Sequence, residues 1–349
     1  MSGTRTPTRS ALARFVPFHF RDPFGLARRL LRSGSPEARF AMASAALGPF
    51  LAPLDLLLAV AERRRLARAA SPRLPLLFVM GPPRSGTTLV TLSLIRCLPV
   101  TYLNNLTALF PRAPITANLL FGRPIRHEGV TLANYYGRTR GVSGPNDSLH
   151  LWDRWLGQDR TQIPEQIEAE AGAQLVRFFA AFEAAFGGPL IAKNNSLNGC
   201  ARLVGALLPT AHFLCLRREP LWLAQSLLEA RRHIHGDPEV SYGIDDPARP
   251  EGLDPIADVV RQVQFHAALA ARQRTALGER FQELRYEVFC EDPAGVIAHV
   301  ARDVLGLSCD PDDVRAALPP LAAARRRTLS LEDFGRLERA VADSFPEGS

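Results

Sequence analysis

Eight residues carry the clearest chemistry in this chain: Gly81-Pro82-Pro83-Arg84-Ser85-Gly86-Thr87-Thr88. They lie between the apolar run Leu76-Leu77-Phe78-Val79-Met80 and Leu89-Val90-Thr91-Leu92-Ser93-Leu94-Ile95, a stretch of helical character. A strand, a glycine-bounded turn and a helix start gather backbone N–H groups and the positive end of the helix dipole at one spot, which attracts an anion. Gly81 and Gly86 have the spacing of a phosphate-binding loop, yet Thr87 stands where the loop lysine belongs, and the local positive charge has moved to Arg84. In nucleotide hydrolases that lysine grips the β- and γ-phosphates. Gly81, Pro83, Arg84, Ser85, Gly86, Thr87 and Thr88 are therefore expected to hold a phosphate without splitting ATP.

A second anion site is written further along. Arg218-Glu219-Pro220 follows the apolar stretch 212–216, and Ser226 lies eight residues after Arg218. Proline favours the first helical position, so Arg218 ends a strand and Ser226 sits about two turns into a helix. Both can face one anion at the carboxyl edge of a sheet, where open α/β sheets bind ligands. One cation also stands apart from the rest. The chain's 42 basic residues are 41 arginines and a single lysine, Lys193. An ammonium on a flexible stem is a point charge, whereas guanidinium is a broad planar fork, so position 193 is singled out.

The elements that must position these groups follow from hydrophobic patterning. From residue 75 onward short apolar strands recur at 76–80, 190–192, 212–216 and 282–286, with helical stretches such as 167–186 and 203–208 between some of them. This predicts an α/β fold, a P-loop-like parallel sheet flanked by helices. Residues 101–165 are richer in Asn, Gly, Pro and Tyr and read as a substrate-facing insertion in a domain spanning 73–349. Residues 1–72 read as a basic and apolar helical extension. Its first 35 residues carry seven arginines against one aspartate, interleaved with Phe15, Phe18, Phe20 and Phe24. Residues 40–60 are almost wholly apolar and long enough to span a bilayer, but Gly48, Pro49, Pro53 and Asp55 interrupt them. Two short helices are expected there, packed on the domain or lying in a membrane interface with arginines reaching lipid phosphates.

Composition narrows the partners. At 349 residues and 46% hydrophobic the chain buries a substantial core. A net charge of +7 suits an acidic ligand or an anionic surface. There is no recognition-helix signature, aromatic-interleaved basic stripe or zinc-finger spacing, so nucleic acid is not an expected partner. Cys97, Cys200, Cys215, Cys290 and Cys309 are scattered and odd in number, which reads as buried thiols in a reducing compartment rather than disulfides or a metal site. No secretory signal fits the N-terminus, so the expected location is cytoplasmic, with contact to the cytoplasmic face of an anionic membrane open. Oligomeric state is not legible.

With these motifs in view, the chain resembles the sulfotransferases that use 3′-phosphoadenosine-5′-phosphosulfate (PAPS), over roughly residues 75 to 300. The loop 81–88 is similar to the 5′-phosphosulfate site, especially of the tyrosylprotein and bacterial branches, where arginine stands in the loop. Arg218 and Ser226 match the family's Arg and Ser for the 3′-phosphate at the same spacing. Tyr286, in Leu284-Arg285-Tyr286-Glu287, matches a tyrosine near the adenosine. Lys193 aligns with a lysine that contacts the transferring sulfonate. The resemblance implies sulfonate transfer from PAPS to a hydroxyl of a carbohydrate or lipid-linked acceptor, without a metal. It fails at the base: where several branches carry a glutamate this chain reads Leu103-Asn104-Asn105-Leu106, and the histidine of cytosolic members is Asn195 here.

An acceptor hydroxyl must still lose its proton, and a positioned base typically contributes ~10²–10⁴-fold. Asp147 and His150, three apart in a plausible helix within 144–155, are the candidates, followed by His127 and Glu128. Trp152 and Trp155 read as core or as a stacking surface for an acceptor. Two competing readings remain at this level: a nucleotide or sugar kinase, against which Thr87 argues, and a nucleotide-binding protein without catalysis, which the asparagines favour.

Overall fold

In the computed structural model, which describes residues 23–122 and 130–345, one parallel sheet organises the chain. Its strands are β1 (Leu76–Met80), β2 (Thr101–Tyr102), β3 (Leu190–Lys193), β4 (Ala211–Arg217) and β5 (Phe281–Arg285), in spatial order β2-β3-β1-β4-β5. The four apolar runs of the sequence are four of these strands; β2, two residues long, carries too little pattern to be read in advance. Each strand neighbours its partner in parallel, Leu76 of β1 standing opposite both Leu190 and Ala211. From β1 the chain runs to the edge strand β2, returns to place β3 between them, and then crosses to β4 and β5 on the other side, so the carboxyl end of β1 lies at the point where the winding reverses, the usual ligand crevice of such sheets.

Alternation of side chains divides the core into two layers. Leu76, Phe78 and Met80 of β1 point into one, with Phe178, Phe179 and Phe182 of the helix Ala169–Phe186, while Leu77 and Val79 point into the other, with Leu92, Leu214 and Leu216. Trp152 and Trp155 belong to the first layer, only 2% and 5% exposed, and the Trp152 ring meets Phe78 edge-on at 5.5 Å. They are core residues, and the stacking role considered for them has no exposed ring to serve it.

The extension corrects the sequence reading. Residues 40–60 are not two short helices but part of one continuous helix, Pro36–Arg68, with Pro49 and Pro53 inside it. A clasp on its inner side explains the continuity. Asp55, 1% exposed, accepts the backbone N–H groups of Arg112 and Ala113 at 3.0 Å each, and Glu62, one heptad on, accepts those of Ile115 and Thr116 at 3.1 and 2.8 Å. The two carboxylates cap the start of the helix Pro114–Phe121, whose first N–H groups have no intrahelical partner. This fastening outweighs the helix-breaking tendency of the prolines. Asp55→Ala strands buried N–H donors, and a loss on the order of 1–3 kcal/mol in denaturant-unfolding free energy is expected; an unchanged midpoint would show that the clasp contributes nothing.

Candidate active site

The loop leaving β1 is shaped by close approaches that only glycine permits. At Gly81, with φ 142°, a Cβ would lie 2.6 Å from the Leu216 carbonyl oxygen of β4. At Gly86, with φ 99°, a Cβ would lie 2.3 Å from Cδ2 of Tyr286, so the tyrosine ring rests directly on the loop. Ser85 Oγ turns inward and donates to the Pro82 carbonyl at 2.7 Å, bracing the bend, and Pro83 is packed against Gly243. The helix Thr87–Cys97 then begins with no side chain capping it, which leaves its first N–H groups and its dipole for an anion.

Two guanidiniums stand over this start. Arg84 Nε donates to Ser226 Oγ at 3.1 Å. Arg218 follows β4, donates to the Arg84 carbonyl at 3.0 Å and to the Ala324 carbonyl at 2.7 Å, and lies 5.0 Å above the Tyr286 ring. Arg84, Arg218, Ser226 and Tyr286, spread over two hundred residues of sequence, thus meet at one sheet edge. Among the described residues neither guanidinium has a carboxylate at ion-pair distance. Burial pulls the Arg218 pKa down from its ordinary value, and the Arg84 charge adds to the effect. A polyanion relieves both.

Lys193 ends β3 beside Val79 of β1 and is 7% exposed. Its Nζ donates to Asp147 Oδ2 at 2.5 Å. Asp147 is delivered by the insertion, and the asparagines that replace the familiar base wire that insertion together. Asn104 caps the helix Asn105–Leu109 through the Thr107 N–H at 2.9 Å. Asn105 donates to the Gly141 carbonyl at 2.7 Å and accepts from Asn146, the neighbour of Asp147, at 2.7 Å. His150 is placed differently. Ser148 adopts a left-handed φ of 47° and the helix begins at Leu149, so Asp147 and His150 do not share one helical face as the spacing suggested. Asp147 lines the cleft with Thr88, Gly137 and Lys193, and His150 is not among its lining residues. His127 and Glu128 lie outside the described residues.

Sequence reasoning missed Tyr136. Tyr135 and Arg138 exchange backbone hydrogen bonds at 2.9 and 3.0 Å around Tyr136 (φ 49°) and Gly137 (φ 81°), a two-residue hairpin with both central φ positive. Its tip covers the loop. The Tyr136 ring stacks 4.6 Å from the Arg84 guanidinium, its hydroxyl pairs with His233 Nδ1 at 3.0 Å, and burial pushes its pKa up to about 12. Arg84, Tyr136 and Ser148 are the non-glycine residues with positive φ among the described residues; Tyr136 and Ser148 adjoin the cleft residues Gly137 and Asp147, and Arg84 lies under the Tyr136 ring, so the strained backbone gathers around the site. The Tyr-Gly pair at 136–137 was the available signal. Also unread was Arg325-Arg326-Arg327, a run brought beside the Arg218 contact at Ala324 and held by Gln225, which bonds the Arg326 carbonyl and the Thr328 N–H.

Among the described residues no cluster of His, Cys, Asp or Glu is arranged to hold a metal ion. A comparison with curated proteins found no match. Among solved structures the chain is similar to sulfotransferase STF9 from Mycobacterium avium, with 17% identity, a TM-score of 0.55, and coverage of 96% of this chain and 95% of that one. It is also similar to sulfotransferase STF1 from Mycobacterium tuberculosis H37Rv, with 15% identity, a TM-score of 0.50, and coverage of 96% and 93%. At these identities the likeness is one of fold. The Sulfotransferase family model, however, matches residues 75–311, which include the loop, Lys193, Arg218, Ser226 and Tyr286. The chain belongs to the sulfotransferase family.

Proposed function

We propose that this enzyme takes its sulfonate from PAPS and delivers it to a hydroxyl of a carbohydrate or lipid-linked acceptor, with Asp147 as the base. The observation that carries the reading is the meeting, at one sheet edge, of an uncapped helix start, two guanidiniums without carboxylate partners among the described residues and the chain's one lysine paired to a carboxylate. A donor with anionic groups at both its 5′ and 3′ ends needs two cradles that communicate. The loop 81–88 suits the 5′ end, Arg218 and Ser226 suit the 3′-phosphate, Arg84 bridges them through its bond to Ser226, and Tyr286 offers its ring to the adenosine.

In the transfer an acceptor oxygen bonds to sulfur while the bond from sulfur to the bridging phosphate oxygen breaks, and charge builds on that oxygen. Arg84 and the loop N–H groups are fixed in advance where this charge develops, so little reorganisation is required of them, and Lys193 joins them on turning from Asp147. Asp147 holds Lys193 in the free enzyme; when the ammonium turns to the sulfonate, the carboxylate is released beside it to accept the hydroxyl proton. Family membership removes the support for the kinase reading, and Asp147 supplies the carboxylate whose absence favoured a non-catalytic protein. Free thiols and a nucleotide donor agree with a cytoplasmic setting.

Adenosine 3′,5′-bisphosphate at 100-fold its dissociation constant is expected to stabilise the protein by about 2.7 kcal/mol in thermal unfolding, with no comparable shift from ATP and magnesium. The opposite ranking sinks the donor assignment. Arg218→Ala is expected to abolish the shift by leaving the 3′-phosphate without its guanidinium.

Asp147→Asn and Lys193→Arg are expected to keep the bisphosphate shift and lose turnover, Asp147→Asn by ~10²–10⁴-fold in kcat. Full turnover by Asp147→Asn, measured with labelled PAPS and a cell extract as acceptor source, would remove Asp147 from the role of base.

A further inference from the structure

The helix Pro36–Arg68 has two unlike sides. Inward it presents Asp55, Ala59 and Glu62, all buried. Outward, Leu47, Phe50, Leu54 and Leu57 follow one another at helical spacing and are 47%, 80%, 36% and 69% exposed, with Val60 continuing the row at 43%. The clasped helix Pro114–Phe121 ends in Leu119, Leu120 and Phe121, also exposed, and Phe24 and Leu31 of the packed helix Pro23–Arg32 are 88% and 58% exposed. So much contiguous apolar surface on one helix marks an interaction site.

The charges say what kind of surface it meets. Glu37, Asp55 and Glu62, the acidic residues of this helix, are all buried, whereas Arg39, Arg63, Arg64, Arg65 and Arg68 are all exposed. The solvent side of the helix is thus an apolar row with cations at both ends and no acid. That complements a sheet of anionic headgroups over hydrocarbon. A second copy of the chain would bring the same arginines against its own.

By length and composition the helix could cross a membrane, and only 11% of its most apolar stretch is buried within the protein, so what opposes crossing is its fastening. Crossing would tear Asp55 and Glu62 from the N–H groups of residues 112–116 and carry two carboxylates into hydrocarbon. Pro49 and Pro53 also leave the carbonyls four residues before each without a helical donor, at the exposed residues Ala45 and Pro49, where interfacial water can serve them and hydrocarbon cannot. We infer that the outward face of Pro36–Arg68 seats the protein on an anionic lipid bilayer, lying in the interface without spanning it. This docking stands independently of the donor and acceptor assignments.

Flotation of the full chain with phosphatidylcholine vesicles, with and without phosphatidylglycerol, tests it. Binding to the anionic vesicles is expected to exceed binding to the neutral ones by more than about tenfold, to fall in high salt, and to be released by alkaline carbonate. The triple variant Phe50→Gln, Leu54→Gln, Leu57→Gln, all on the exposed side, should lose flotation while its thermal midpoint stays that of the parent. Absence of flotation, equal binding to neutral vesicles or retention after carbonate would each overturn the inference. So would vesicle-indifferent dimerisation that the triple variant abolishes, because the face would then belong to a second copy.

Discussion

The ring of Tyr286 lies against Gly86 closely enough that a single methyl group at position 86 would sit 2.3 Å from it, and on this contact the edge of the cleft is assembled. Gly86 opens the helix after β1, Tyr286 follows β5, and Arg218, which follows β4, covers the tyrosine and bonds back to the loop at Arg84. Three strand ends are thereby held in one register by a glycine, an aromatic face and a guanidinium. None of the three is a strong contact by itself. Together they fix the spacing between the loop and Arg218.

The other half of the site depends on the insertion between β2 and the helix Leu149–Leu156. Beside a small apolar cluster of Leu106, Phe110 and Ala117 it is organised by amides: Asn104, Asn105, Asn118 and Asn146 bond to one another and to the backbone around them. Buried amide networks of this kind are rigid when fully satisfied. The asparagines at positions 104 and 105 therefore serve position, not proton transfer, and through Asn146 they carry Asp147 to Lys193.

How much of this was legible follows from the physics of each element. The strands 76–80, 190–193 and 211–217 are buried on both faces and read as apolar runs, and the loop 81–88 declares itself by glycine spacing. Arg218 and Ser226 are tied by the turn geometry of a single helix, so their spacing alone carried them. The rest depends on contacts distant in sequence. The Tyr136 hairpin is built from two left-handed residues whose partner, Arg84, is fifty residues away. The continuity of Pro36–Arg68 defeats local reading because the groups that stabilise it, the N–H donors of residues 112–116, lie outside it. Proline and glycine signalled a break correctly as local chemistry, and tertiary fastening overruled them.

The single lysine has a consequence of its own. Apart from the α-amine, the chain offers one primary amine to any reagent, and that amine is 7% exposed and ion-paired inside the cleft. Reductive methylation with labelled formaldehyde would place one side-chain spectroscopic probe in the molecule, on the ammonium that pairs with Asp147 in the cleft. Most enzymes scatter such a label over dozens of surface positions. Here an arginine-rich composition has left the side chains of the surface silent to amine chemistry, so this protein can be followed through ligand binding by the resonance of the methyl groups on one nitrogen.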